Sequence, residues 1–218
     1  MIYGRRRRAL RAVFHPIRAM QALFVAASFL AAAAPARAES FDAFVAGLWP
    51  DASKAGVSRA TFDKAMGGIK PNYKLPDLAL PGKPKVDNTG QAEFTKTAAD
   101  YISKPYMEKL SAQGRTFFAQ YKVALKAIEK KTGVDPYILV AIWGRETAYG
   151  SHDLPHDAIE VLATLAYTGR RKEMFRNELI AALRMLDMGV ARTDMKSSWA
   201  GAVGLTQFMP TEYLKYAD

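Results

Sequence analysis

The 218-residue sequence predicts an all-α protein, and three observations carry that prediction. Apolar residues recur at three- and four-residue spacing through most of the chain after Gln91, as they do when one helix face is turned to a core. Helix boundaries carry their usual chemistry: Ser58, Asp135 and Asp157 stand where N-caps belong, and Gly67-Gly68, Gly133 and Gly189 stand where helices stop. No stretch alternates apolar and polar residues with the period of two that a half-buried strand requires.

The first segment, residues 1–38, predicts export rather than fold. It contains Arg5, Arg6, Arg7, Arg8, Arg11, Arg18 and Arg37, no acidic residue, and an apolar run from Met20 to Ala34 followed by Ala36-Arg37-Ala38. A basic start, a short apolar run and a small-residue site, in that order, read as a secretory signal peptide. The run is too short for the roughly 20 residues a membrane-spanning helix needs. Cleavage after Ala38 is predicted, with delivery to the periplasm and no stable membrane anchor afterwards. The arginine cluster also admits a twin-arginine export route.

Removing this segment changes the charge argument. The chain has 31 basic and 21 acidic residues, and the segment holds seven of the basic ones and none of the acidic, leaving 24 against 21. Nucleic acid is therefore not a predicted partner, since the remaining basic clusters, Lys130-Lys131 and Arg170-Arg171-Lys172, are short and lack interleaved aromatics. The absence of cysteine excludes disulfides and a lipoprotein-type acylated cysteine.

Residues 39–218 suffice for one domain with a substantial core and divide into two sections. In residues 39–90, Phe41 to Met66 reads as short helices, with Ser58 as an N-cap, followed by a Pro- and Gly-rich surface loop from Pro71 to Gly90. In residues 91–218, Phe118, Tyr121, Leu125 and Ile128 mark one amphipathic helix ending at Gly133. Asp135-Pro136 then starts a second helix. Its run Tyr137 to Trp143 is almost wholly apolar, which predicts burial on most sides and a central place in the core. A third helix runs from an Asp157 cap through Tyr167, and Phe175, Leu179, Leu183 and Leu186 form the stripe of a fourth. There is no internal repeat.

Glu146, near the end of the second helix, is the candidate acid. Ile142 and Trp143 lie one turn back, and the helix runs out near Gly150. Apolar neighbours and the negative end of a helix both disfavour an ionised carboxylate, which is what a general acid for glycosidic cleavage requires. Arg145 is adjacent but on another face. A surface glutamate, or one paired with Arg170 or Arg171, fits the same spacing. His152 and His156, with Asp153 and Asp157 beside them, invite a metal reading, but Pro155 interrupts any shared helix face and no third ligand is evident. No metal or cofactor is expected.

The second constellation is Gly201-Ala202-Val203-Gly204-Leu205-Thr206-Gln207-Phe208-Met209-Pro210. Glycines permit close approach or unusual dihedrals, and Gln207 can both donate and accept hydrogen bonds, as a sugar hydroxyl or acetamido group requires. A loop-to-helix joint packed on the core would use the same residues.

Together the stretches GVDPYILVAIWGRETAYGS and SSWAGAVGLTQFMPTEY resemble the membrane-bound lytic murein transglycosylase B family, in its soluble, non-lipoprotein form. The resemblance runs from about Phe41 to Asp218. It implies a lysozyme-like helical fold, peptidoglycan glycan strands as the partner, and cleavage of the MurNAc–GlcNAc linkage. It places the family's catalytic glutamate at Glu146 and polar cleft positions at Ser198 and Gln207. The chemistry it implies needs one carboxylate: Glu146 protonates the leaving oxygen, the substrate's acetamido group stabilises the cation, and Glu146 then helps the MurNAc 6-hydroxyl close a 1,6-anhydro ring. Thr211 stands where many relatives have serine. Members of the family continue past the Gln-Phe-Met-Pro motif, so the resemblance also implies a fold incomplete at its C-terminus. An inactive peptidoglycan-binding fragment and a lysozyme-type hydrolase are the alternative readings.

Overall fold

The computed structural model describes residues 39–80 and 97–217. The signal-peptide reading of residues 1–38 and the second half of the Pro-rich stretch lie outside the described residues. From Ser40 onward the chain is one compact unit, and it is helical as the sequence predicts.

Three short helices open it: α1 (Phe41–Ala46), α2 (Trp49–Lys54) and α3 (Arg59–Met66). Ser58 caps α3 by accepting from the Thr61 amide, and Gly67 ends it, as the local sequence signals require. After α4 (Ala98–Tyr101) come α5 (Lys104–Gln120), α6 (Lys122–Thr132) and α7 (Pro136–Thr147). The single helix expected to end at Gly133 is broken at Tyr121, whose φ of −102° and ψ of 14° close α5 and open α6. Gly133 takes the left-handed conformation, φ 76°, at the end of α6. Asp135 caps α7 through the Tyr137 amide, with Pro136 in the first turn.

The centre of the core is a different helix from the one predicted. In α8 (Ala158–Thr168) nine of eleven residues are buried, and it packs along α9 (Lys172–Asp187). Leu162, Leu165, Phe175, Leu179 and Leu183 meet there with Phe44, Leu48 and Phe62 of the opening section. Each such side chain contributes about 1.5–3 kcal/mol by leaving water. By contrast α7 buries only Pro136, Val140, Gly144 and Thr147, while Tyr137, Ile138 and Ile142 are 66%, 55% and 47% exposed. An apolar run reports affinity for a partner surface, and α7 meets chiefly α5 and α6, which leave these three side chains exposed.

Two features join these parts. Residues 72–80 lie as a strap on α8: the Asn72 amide donates to Thr164 Oγ1 at 2.9 Å, the Ala79 amide to the Thr168 carbonyl at 2.7 Å, and Asp77 pairs with Arg170. The first half of the Pro-rich stretch is thus pinned by its backbone. A minimal antiparallel pair, β1 (His156–Asp157) and β2 (Lys196–Ser197), matches His156 with Ser197 and Asp157 with Lys196. Strands of two residues leave no alternating pattern to read. A 3₁₀ turn at Arg192–Asp194 precedes β2, and α10 (Pro210–Tyr216) follows the loop after it.

Candidate active site

Glu146 is the penultimate residue of α7 and is exposed. The dry surroundings expected from its neighbours are not present. Ile142 is itself half exposed, and Trp143 turns to another face, where it packs on Phe117 at 4.8 Å, Tyr121 at 5.8 Å and Tyr149 at 5.4 Å between ring centroids. Arg145 points away, donating to the Tyr101 carbonyl at 3.1 Å and lying over the Tyr106 ring. Arg170 and Arg171, the alternative ion-pair partners, are both engaged by Asp77. The Glu146 carboxylate is therefore presented to solvent at a helix end, with its neighbouring cation held elsewhere.

The helix end is built with unusual backbone. Ala148, Tyr149 and Gly150 all have positive φ, at 48°, 60° and 85°. For Ala148 and Tyr149 the left-handed conformation costs roughly 1–2 kcal/mol each, so surrounding contacts must hold it. Tyr149 supplies one set. Its ring stacks on Phe117 at 5.0 Å, its hydroxyl donates to the Leu110 carbonyl at 3.2 Å, and it slots between Gly114 of α5 and Gly144 of α7. Thr147 supplies the other. It is 1% exposed, its hydroxyl donates to the Leu205 carbonyl at 2.7 Å, and it accepts from the Gly150 amide at 3.1 Å.

That bond to Leu205 brings the two sequence motifs together. The loop from Ser198 to Phe208 is a small hairpin in which Val203 bridges both Ser197 and Phe208. Gly201, at φ 87°, lies so close to Leu162 that an added Cβ would stand 2.3 Å from its Cδ2. Ser198 is half-buried and its hydroxyl accepts from the Ala202 amide at 3.2 Å. Gln207 has φ 55° and donates through Nε2 to the Gly204 carbonyl at 2.9 Å. Both residues thus sit in a loop joined to the end of the Glu146 helix, and both spend part of their hydrogen-bonding capacity on holding that loop. Ser198 keeps a hydroxyl proton to donate and Gln207 an amide oxygen to accept.

Elsewhere, a cavity of about 450 Å³ opens between α5 and α7, lined by Leu110, Gly114, Phe118, Tyr137, Val140 and Tyr149 among others. Arg145 borders it and Glu146 does not, and its walls carry no carboxylate. His156 is paired in β1, and Asp157 caps α8 while receiving Arg192 at 2.8 Å. Among the described residues no group of three or more potential ligands could hold a metal ion.

A model of the transglycosylase SLT domain family matches residues 40–218. The chain belongs to that family. It is 40% identical over 106 residues to membrane-bound lytic murein transglycosylase B of Escherichia coli (strain K12), a stretch covering 48% of this chain and 29% of that protein. Its fold is similar to SltB3 of Pseudomonas aeruginosa, solved in complex with NAG-NAM-pentapeptide, with a TM-score of 0.71 and 35% identity over 83% of this chain and 46% of that one. It is also similar to the soluble lytic transglycosylase SltB1 of the same species, with a TM-score of 0.63 and 25% identity over 80% of this chain and 57% of that one. The lysozyme-like helical fold of the SLT domain is thus the fold of this chain, which spans from under a third to somewhat over half the length of these relatives.

Glu146, Ser198 and Gln207 are legible as candidates in the sequence, and Thr147 and Tyr149 stand in the first of its two motif stretches, but the packing of Thr147, Tyr149, Gly114 and Gly144 around the Glu146 helix end is visible only in the structure. A signal was present for the glycines. Glycine inside a helix costs about 1 kcal/mol relative to alanine, and two of them, in α5 and α7, mark a close approach.

Proposed function

We propose that this chain is a lytic murein transglycosylase that cleaves the β-1,4 bond between MurNAc and GlcNAc in peptidoglycan and forms 1,6-anhydroMurNAc. The observation that carries the reading is the Thr147 to Leu205 hydrogen bond, which ties the residue next to Glu146 to the loop that bears Ser198 and Gln207. Membership of the SLT domain family supports it, as does the likeness to SltB3, which has been solved with NAG-NAM-pentapeptide and with NAG-anhNAM-pentapeptide.

In this reading Glu146 acts twice. As an acid it gives its proton to the glycosidic oxygen, and the C1–O bond to the leaving GlcNAc breaks while the acetamido oxygen of MurNAc shares the positive charge at C1. As a base it takes the proton of the MurNAc 6-hydroxyl, whose oxygen then bonds to C1 and returns Glu146 to its starting state. No water enters and no second carboxylate is needed. Ser198 and Gln207 would contact the sugar's polar groups. Export through a signal peptide cleaved after Ala38 places the enzyme with its substrate in the periplasm.

Digestion of purified peptidoglycan followed by mass spectrometry tests the proposal. Anhydro products one water lighter than hydrolytic ones are expected, with their loss in Glu146→Gln at unchanged thermal stability. Hydrated products would mean a hydrolase, and binding without cleavage, unchanged by Glu146→Gln, would mean a glycan-binding module.

A further inference from the structure

The Thr147 side chain is almost fully buried at the end of the Glu146 helix, and both functions of its hydroxyl are used. It donates across 58 residues of sequence to Leu205 and accepts from Gly150, the third of the three left-handed residues. Leu205 sits in the turn of the Val203–Phe208 hairpin, is 46% exposed, and packs a side-chain methyl against Gly150, within 3.1 Å of where a Cβ would stand. The turn has no core side chain of its own to fix it, since Gly204 to Phe208 are all at least partly exposed.

We infer that Thr147 is a positioning residue: its hydroxyl sets the separation between the Glu146 carboxylate and the loop bearing Ser198 and Gln207. The inference rests on the reading of Glu146 as acid and base. The physical reason is geometric. Glu146 and Thr147 are consecutive on the last helical turn, so any movement of one carries the other, and a helix end followed by three left-handed residues has few competing conformations that keep these bonds. Proton transfer tolerates little error in placement; a displacement of about 1 Å costs on the order of a hundredfold in rate. A hydroxyl tying the acid-bearing turn to the opposing loop therefore acts on turnover more than on affinity.

The test compares Thr147→Val, which keeps the shape and removes the hydroxyl, with Thr147→Ser, which keeps the hydroxyl, in the full chain. Kinetics on soluble glycan strands should show kcat for Thr147→Val reduced roughly 10- to 100-fold with KM changed less than about threefold, and Thr147→Ser within about threefold of the parent. Amide hydrogen exchange should show faster exchange at Gln207 and Phe208 in Thr147→Val only, with α8 and α9 as protected as in the parent. Unchanged kcat together with unchanged exchange in Thr147→Val overturns the inference, as does a serine variant as impaired as the valine one. Equal turnover by the parent and Glu146→Gln, or none by either, counts against the functional reading alone. The exchange measurement then decides the coupling, which unchanged amides in Thr147→Val would refute.

Discussion

The ring of Tyr149 occupies the space that a side chain on Gly144 would need: an added Cβ would meet its ring carbon and its hydroxyl oxygen at 2.5 Å. The ring has no room to retreat, because Gly114 faces it equally closely and its hydroxyl is bound to the Leu110 carbonyl. Gly144→Ala should therefore destabilise the protein by about 1–3 kcal/mol, even though alanine favours the helix itself by about 1 kcal/mol. A double-mutant cycle with Tyr149→Ala, followed by urea denaturation, should give a coupling above about 0.5 kcal/mol. Strict additivity would mean that the ring yields and the slot is not a constraint.

Gly201 and Gly204 separate backbone strain from steric clash. Both have positive φ, but an added Cβ meets Leu162 at 2.3 Å in one case and nothing within 4 Å in the other. Gly204→Ala should cost about 1–2 kcal/mol, the left-handed penalty alone. Gly201→Ala should cost at least about 1 kcal/mol more, since Leu162 is fully buried and must shift. Denaturation midpoints of the two variants give the comparison, and equal losses would show that the core around Leu162 absorbs the intrusion.

Glu178 is buried in α9, and Thr211 answers both its oxygens: the amide at 2.9 Å and the hydroxyl at 2.7 Å. This fixes the first turn of α10 on α9. Thr211→Val leaves one carboxylate oxygen buried without that donor, an expected loss of about 1–3 kcal/mol. Thr211→Ser keeps the hydroxyl and should cost little. Thermal melts of the two variants check this, and a valine variant as stable as the serine one would show that the hydroxyl contributes nothing.

Acid stability should depend on Asp157. Its burial pushes the pKa up, but the hydrogen bond and charge of Arg192 and the amide of Glu160 outweigh that, and the carboxyl titrates below its ordinary value of 3.8. A carboxylate depressed in the folded state contributes stability above the unfolded pKa and loses it as pH falls through the folded one. The difference in Tm between the parent and Asp157→Asn should thus be full near neutral pH and shrink below about pH 4. A gap that stays constant down to pH 2 would place the effect in packing rather than charge. Arg192 also donates to the Ala65 carbonyl at 2.6 Å, so the ion pair reaches from α8 to α3.

Most of the helical layout is legible in the sequence. Ser58, Asp135 and Asp157 cap the helices that their positions predict, and Gly133 is left-handed at the end of α6. These depend on contacts within three or four residues, and the sequence contains both partners of each. The break at Tyr121 is not legible, because the apolar spacing continues unbroken through it. Of the candidate site, residue types point to Glu146 and to the loop of Ser198 and Gln207, but nothing local indicates that Glu146 is exposed.

By itself, then, the sequence determined where most of the helices start and stop, which faces of them are apolar, and which residues are candidates for acid–base work. Only the tertiary structure decided that α8 rather than α7 is the centre of the core, that Tyr149 fills a slot between two glycines, and that Thr147 ties the Glu146 turn to Leu205. The reason is the nature of the forces. Caps and periodicity are local, while hydrophobic burial is non-directional, so an apolar face states that it needs a partner without naming one. A hydrogen bond spanning 58 residues exists only once packing has set its two ends together.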